Sequence, residues 1–202
     1  MLRRSLVACA ALSAALLSAP VLAQTVGQSA PALALKDSAG KLVNLADFRG
    51  KTVVLEWVNP SCPFVKKHYG AGHMQATQKA AAGDGVVWLS VSSTHPGLAD
   101  YKQPAELASW MQQQGSGASA LLMDDDGKVG KAWGARTTPH LYVVNPAGTL
   151  VYAGAIDSKP SANPADIPAA TNYVRQALGE LKAGQAVSKP SSTPYGCSIK
   201  YS

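Results

Sequence analysis

The sequence predicts an α/β domain: a mixed central sheet with helices on both faces and an N-terminal β-hairpin extension. Three observations predict it. Apolar, β-branched runs of strand length recur at 52–58, 86–92 and 140–145, and continuous runs of this kind suit strands buried on both faces. Stretches with helical spacing stand between them, so strand and helix alternate along the chain. Finally, Pro146-Ala147-Gly148 turns the third run straight into another at 149–156, which makes an antiparallel neighbour in the same sheet.

Each element has a local reason. Leu33-Ala34-Leu35 and Val43-Asn44-Leu45 flank the turn-rich Asp37-Ser38-Ala39-Gly40, the pattern of an opening hairpin. After the strand at 52–58, Asn59-Pro60-Ser61 breaks the run, and a helix is expected from Cys62 to Tyr69. Gly70 and Gly72 interrupt it before helix resumes near 73–82. In 104–114, Leu107, Trp110 and Met111 fall at helical spacing behind Pro104, which a first turn tolerates. Asp124-Asp125-Asp126-Gly127 lacks the alternating ligands and distal Glu of a calcium loop and reads as a turn. Residues 157–168 carry three prolines and read as a loop, 169–183 as the last helix, and 189–202 as a tail.

Composition excludes several classes. The 202 residues are 47% hydrophobic and 15% charged, too apolar for a disordered chain, and the 31 Gly and Pro follow no period, so collagen-like and repeat architectures are out. Residues 1–23 stand apart. Arg3 and Arg4 precede an apolar, Ala-rich stretch ending in Val21-Leu22-Ala23, which reads as a secretory signal peptide, with a retained membrane anchor as the alternative. The organisation expected is therefore a signal at 1–23, a domain at 24–188 and a C-terminal tail at 189–202, in a periplasmic or secreted protein without stable membrane insertion once the signal is removed.

The mature portion has 16 Lys+Arg against 12 Asp+Glu. These charges are interleaved rather than gathered in a stripe, so nucleic acid is not an expected partner. Cys62 and Cys197 are the two cysteines left, in a chain addressed to an oxidising compartment.

Asn59-Pro60-Ser61-Cys62-Pro63-Phe64-Val65-Lys66-Lys67-His68-Tyr69, Thr137-Thr138-Pro139-His140, Gly154-Ala155-Ile156-Asp157 and the tail Tyr195-Gly196-Cys197-Ser198-Ile199-Lys200-Tyr201 resemble the peroxiredoxin-like redoxins. These are relatives of the alkyl hydroperoxide reductase and thiol-specific antioxidant group, in the thioredoxin superfamily. The resemblance implies a thioredoxin-like fold, thiol-based oxidoreductase or antioxidant activity, and a cis-proline at Pro139 facing Cys62. Departures matter too. Val65 stands where thioredoxin has its second cysteine, and Asn59 and Leu55 stand where peroxiredoxins carry Thr or Ser and Pro.

The chemistry follows from residue type and place. A helix N-terminus favours the thiolate, the reactive form of Cys, so Cys62 is the candidate nucleophile, with Pro63 opening the helix and Lys66 one turn on as a source of positive potential. Cys197, carried on a flexible tail, is the candidate resolving thiol; a permanent Cys62–Cys197 staple is the alternative. Glu56, inside a run buried on both faces, is a candidate proton relay, or else a partner of a strand-end Lys. Asn59, Pro63, Lys66, Thr138, Pro139 and His140 complete the candidate substrate-binding set. His68, His73, His95 and His140 raise a metal reading, in which Cys62 and His140 bind copper or zinc, but no pair has ligand spacing on one element, and no metal site is assigned. No phosphate loop or flavin or nicotinamide fingerprint is visible, so no cofactor is expected. The expectation is a thiol-dependent oxidoreductase that takes electrons from a thiol protein and acts on a peroxide or a disulfide-bearing protein. The alternatives are a copper- or zinc-binding module of the same fold and a non-catalytic redoxin with a structural disulfide.

Overall fold

The computed structural model describes residues 25–201. The expected signal segment, with Cys9, lies outside the described residues. At the centre of the molecule is β3 (Val53–Trp57), all five residues buried. It pairs in parallel with β4 (Val87–Ser92) and antiparallel with β7 (His140–Val144). Two covered edges and two covered faces are why this stretch reads as an unbroken apolar run. The sheet continues through β5 (Ala120–Met123), parallel to β4, to β1 (Ala34–Asp37) and β2 (Leu42–Asn44), and on the other side to β8 (Leu150–Gly154). The order is β2-β1-β5-β4-β3-β7-β8, a seven-stranded mixed sheet of thioredoxin-like type.

Parallel neighbours need crossovers, and helices supply them. Helices α1 (Pro63–Gly70) and α2 (His73–Gly83) carry the chain from β3 to β4, and α3 (Pro104–Gln113) carries it from β4 to β5. Both crossovers run the same way along the sheet, so these helices share one face. Gly72, at φ 71°, makes the left-handed link between α1 and α2 that the Gly pair predicted. Together with α5 (Tyr173–Lys182) they bury Val65, Tyr69, Met74, Leu107 and Val174 against Val54, Trp88, Leu141 and Tyr152. The opposite face packs Leu55, Trp57, Leu89 and Leu122 beneath Leu33, Trp133 and the short α4 (Lys128–Ala132). Each such fully buried Leu stabilises the fold by roughly 1.5–3 kcal/mol. Among the described residues no helix is long and apolar enough to cross a membrane.

The predicted hairpin, buried strands and first three helices are present within a residue or two. Three features differ. Strand β5 and helix α4 were not anticipated; at four and five residues, each is too short to show a period. Asp124, read as part of a plain turn, joins them: its carboxylate accepts from the N–H of Val129 and Gly130 and from Ser93 Oγ. The last helix starts at Tyr173 rather than at 169. Asn172 caps it by accepting from the Arg175 N–H, and 164–169 forms a separate 3-10 turn around two prolines.

The third difference is the tail, which does not hang free. Ser192 N–H donates to the Ala153 carbonyl, Ile199 N–H to Arg136, and His95 N–H to Lys200. Tyr201 Oη donates to the Ala135 carbonyl at 2.8 Å. Between these ties, β9 (Cys197–Ser198) pairs antiparallel with β6 (Thr137–Thr138). Gly196 sits at φ 140° with its α-carbon so near Thr138 that any Cβ would collide with the Thr138 carbonyl oxygen. A Gly196→Ala change is expected to cost about 1–3 kcal/mol of stability in urea unfolding and to make the tail sensitive to limited proteolysis. Wild-type behaviour in both assays would show that the close approach is not required.

Candidate active site

Residues 59–62 form a tight turn between β3 and α1. Asn59 organises it: Oδ1 accepts the Ser61 N–H at 2.8 Å, Nδ2 donates to Thr94 Oγ1 at 3.3 Å, and its carbonyl accepts the Cys62 N–H at 3.1 Å. Cys62 is the N-cap of α1, with Pro63 at the first helical position where a missing N–H costs nothing. Its Sγ donates to the Thr138 carbonyl oxygen at 2.9 Å. The Thr138-Pro139 peptide is cis, as the resemblance implied, and it is the residue before the proline whose carbonyl meets Cys62.

Strand β9 sets Cys197 directly opposite Thr138, whose carbonyl accepts from Cys62, and Cys197 packs against the apolar cluster that contains Cys62. Both cysteines are free thiols. Burial resists ionisation of Cys62. Hydrogen bonds from the Cys197 thiol, the Thr138 side chain and the backbone of Val65 and Cys197 outweigh it and hold the Cys62 thiol below its ordinary range. Burial pushes Cys197 the other way, up to about 12, and its contact with Cys62 adds to the rise. The pair is asymmetric, one sulfur favoured as thiolate and the other held as thiol.

Glu56 is fully buried on the helix-covered face of β3. It meets no lysine. Tyr69 Oη donates to Oε1 at 3.0 Å, and Trp88 Nε1, Gln78 Nε2 and Ser90 Oγ donate to Oε2 at 2.8, 3.2 and 3.3 Å. Desolvation raises its pKa to about 7, because four neutral donors only partly replace water. Lys66 is exposed, and the groups that lower the Cys62 pKa against its burial are Cys197, Thr138 and the backbone instead. His140 is buried, with Nδ1 accepting from the Arg136 N–H at 3.3 Å and lying 3.0 Å from Tyr142 Oη; burial drives its pKa down to about 3, so it is neutral. It lines a groove of about 1310 Å³ beside residues 189–195, and neither sulfur lines that groove.

A second polar cluster, unforeseen as a unit, lies under the tail. Asn172 Oδ1 accepts from Arg175, which fixes its Nδ2 as the donor to His73 Nε2 at 3.1 Å. His73 Nδ1 then carries the proton and donates to His68 Nδ1 at 2.8 Å, so His68 Nε2–H points to Tyr195 Oη at 3.1 Å. Tyr195 Oη donates in turn to Asp157 Oδ1 at 2.5 Å. Buried Lys67, next to the exposed Lys66, places Nζ 3.9 Å from Asp157 Oδ2. Burial lowers both histidines, His68 to about 3, in keeping with neutral rings. Donor atoms of His68, His73 and Asp157 lie within 4.8 Å of one another, the one such trio among the described residues, and it includes neither Cys62 nor His140. In this directed chain the facing histidine nitrogens are already paired, whereas Asp157 Oδ2 is buried without a hydrogen-bond partner, with Lys67 Nζ 3.9 Å away. The sequence shows His68 and Lys67, but not that residues 90 to 130 positions later close over them.

Residues 26–153 match the sequence profile of the AhpC/TSA family. No curated protein matches the chain. Among solved structures, a hypothetical protein of Sinorhizobium meliloti is similar at 24% identity and TM-score 0.75, over 89% of this chain and 96% of its own. An uncharacterised conserved protein of Geobacillus kaustophilus matches at 25% identity and TM-score 0.74, over 88% of this chain and 93% of its own. The thioredoxin domain of a thiol-disulfide oxidoreductase of Bacteroides vulgatus matches at 25% identity and TM-score 0.51, over 65% of this chain and 89% of its own. With the profile spanning most of the sheet, and a cis Thr138-Pro139 bond beside a helix-capping cysteine's carbonyl partner, the chain belongs to the AhpC/TSA family, as a peroxiredoxin-like redoxin of the thioredoxin superfamily.

Proposed function

We infer that the protein is an exported thiol-dependent oxidoreductase in which Cys62 is the nucleophile and Cys197 the resolving thiol. The observation that carries the reading is the placement of both cysteines at Thr138, Cys62 donating to its carbonyl and Cys197 paired opposite it in β9, and the lowered Cys62 pKa agrees with it. The Cys62 thiolate attacks an oxidant. With a hydroperoxide it takes one oxygen, becoming a sulfenic acid, and the alkoxide or hydroxide released takes a proton; the Cys197 thiol then displaces water to form the disulfide. With a disulfide substrate it forms a mixed disulfide that Cys197 resolves, freeing a substrate thiol. A thiol protein returns the two electrons. Asn59, Pro63 and Thr138-Pro139 position the nucleophile. Export rests on the signal-like residues 1–23.

The alternative is a non-catalytic redoxin with a structural disulfide, and the docked tail favours it as a second reading, since the strand that bears Cys197 is already paired beside Thr138. Turnover separates the two. In a thiol-coupled assay with hydrogen peroxide or glutathione disulfide, Cys62→Ser is expected to abolish consumption. Cys197→Ser is expected to allow one oxidising event and then stall, with a Cys62 sulfenic acid or adduct seen by mass spectrometry. A wild-type disulfide that forms once and resists mild reductants would favour the structural role.

Glu56 is the proton relay in this reading. It faces the same helix layer as Cys62 and titrates near neutrality. Its pH signature has a definite sign. A carboxyl group with pKa 4.5 unfolded and about 7 folded binds its proton more tightly when folded, so its contribution to stability is greatest below 4.5 and falls as pH rises toward 7. The loss is on the order of 3 kcal/mol at 1.36 kcal/mol per unit. Glu56→Gln is expected to remove that slope, gaining stability relative to wild type between pH 5 and pH 8 in urea unfolding, and to flatten the pH dependence of disulfide reduction near pH 7. A variant that reacts at the wild-type rate from pH 5 to 9 would end the relay role.

A further inference from the structure

We propose that the groove lined by His140 and Arg136 is a binding site for an organic carboxylate, seated on the face of the sheet turned away from Cys62. The site is separate from the thiol chemistry inferred above, and neither reading needs the other.

The anchor is the imidazole of His140, a residue only 4% exposed. Its Nδ1 accepts from the Arg136 N–H at 3.3 Å, so in the neutral ring the proton sits on Nε2. That Nε2–H has no acceptor among the described residues. Buried donors are almost always paired, and one left open on a ring that lines a groove marks a place where a ligand completes the set. The position is also distinct. Side chains alternate along β7, so His140 shares a face with Tyr142 and Val144, which pack with Leu55 and Trp57, whereas Cys62 belongs to the cluster on the opposite face.

Charge selects an anion. Lys131, Arg136 and Lys189 line the groove, all three exposed, and none has an ion-pair partner among the described residues. Asp157, the one acid among the described residues of the wall, already faces Lys67 Nζ at 3.9 Å. Burial keeps His140 neutral, and the Arg136 charge is near enough to add to that effect. Lys131 and Lys189 rest over the rings of Tyr201 and Tyr173, at 5.5 and 4.9 Å, which holds their charges at the rim. A planar carboxylate fits these donors: one oxygen accepts the Nε2–H, and the guanidinium fork of Arg136 takes the other. The groove's volume of about 1310 Å³, with Pro160, Tyr173, Pro194 and Tyr195 in its walls, leaves room for an apolar body behind the charge, so the ligand class is an organic acid rather than an inorganic anion.

The test uses the full mature chain with nitrogen-15 in its histidines, read by NMR of the imidazole nitrogens. In the free protein His140 is expected in the Nε2–H form. Titration with 4-phenylbutyrate is expected to shift its Nε2 and ring signals saturably, while the uncharged 4-phenylbutanamide leaves them in place. Arg136→Gln is expected to weaken the phenylbutyrate affinity at least about tenfold, the loss of a charged hydrogen-bonding partner. The substitution keeps the backbone N–H and carbonyl of residue 136 that hold His140 and Ile199, so the fold is not at stake. Lys79→Gln, an exposed position on α2, is expected to change nothing. An Nδ1–H form of His140 overturns the proposal, as does the absence of a saturable shift, an equal response to the amide, or an affinity that Arg136→Gln leaves intact. Inorganic phosphate bound as tightly as phenylbutyrate overturns the assignment to organic acids.

Discussion

The pairing of Thr138 with Cys197 is the constraint on which the site depends. One residue of β6 offers its carbonyl to the Cys62 thiol and its backbone to the strand that bears the second sulfur. The cis peptide that follows turns the chain into β7, the strand beside β3, so the same few atoms connect the centre of the sheet to both cysteines. Gly196 makes that arrangement possible by leaving no side chain at the point of closest approach. Separate the two strands and Cys62 loses the Cys197 thiol and backbone groups that favour its ionised form.

Two buried polar networks brace this centre, and they solve the cost of burial differently. Glu56 meets four neutral donors and keeps a raised pKa, a carboxyl group poised to gain or lose a proton. Asp157 instead faces a lysine and ends a directed chain through Tyr195 and two neutral histidines. A partly satisfied buried network costs more than an apolar core, and the second network is of that kind, since Asp157 Oδ2 has no hydrogen-bond partner. The second network also ties α1 to the tail. Phe64, Lys67 and His68 of that helix all touch Tyr195, two residues before Cys197.

Much of the fold was legible because its elements carry long, pure patterns. The buried run around Leu55, the Gly70 and Gly72 break, and the Pro146-Ala147-Gly148 turn each state a local rule that the tertiary structure leaves intact. Where the reading stopped, the cause was length or distance. Ala120–Met123 is too short to show a period, and the last helix starts at the residue whose side chain caps it, which composition alone placed four residues early. The site divides in the same way. Cys62, Asn59 and Pro139 declare themselves by local sequence, while of the two adjacent lysines Lys66 is exposed and Lys67 turns inward toward Asp157 rather than toward Cys62. The docking of the tail was not legible, because a polar segment rich in Ser and Pro gives no sign that its backbone will find partners as far off as Ala153, Arg136 and His95.

The docked tail has a consequence for oxidative damage. In proteins whose second cysteine lies far from the first, the freshly oxidised sulfur must wait for a segment to unwind, and during that wait another oxidant molecule can carry it to the irreversible sulfinic state. Here the strand that bears Cys197 is already docked beside Thr138. On the proposed mechanism, the interval open to overoxidation would not include the docking of the tail.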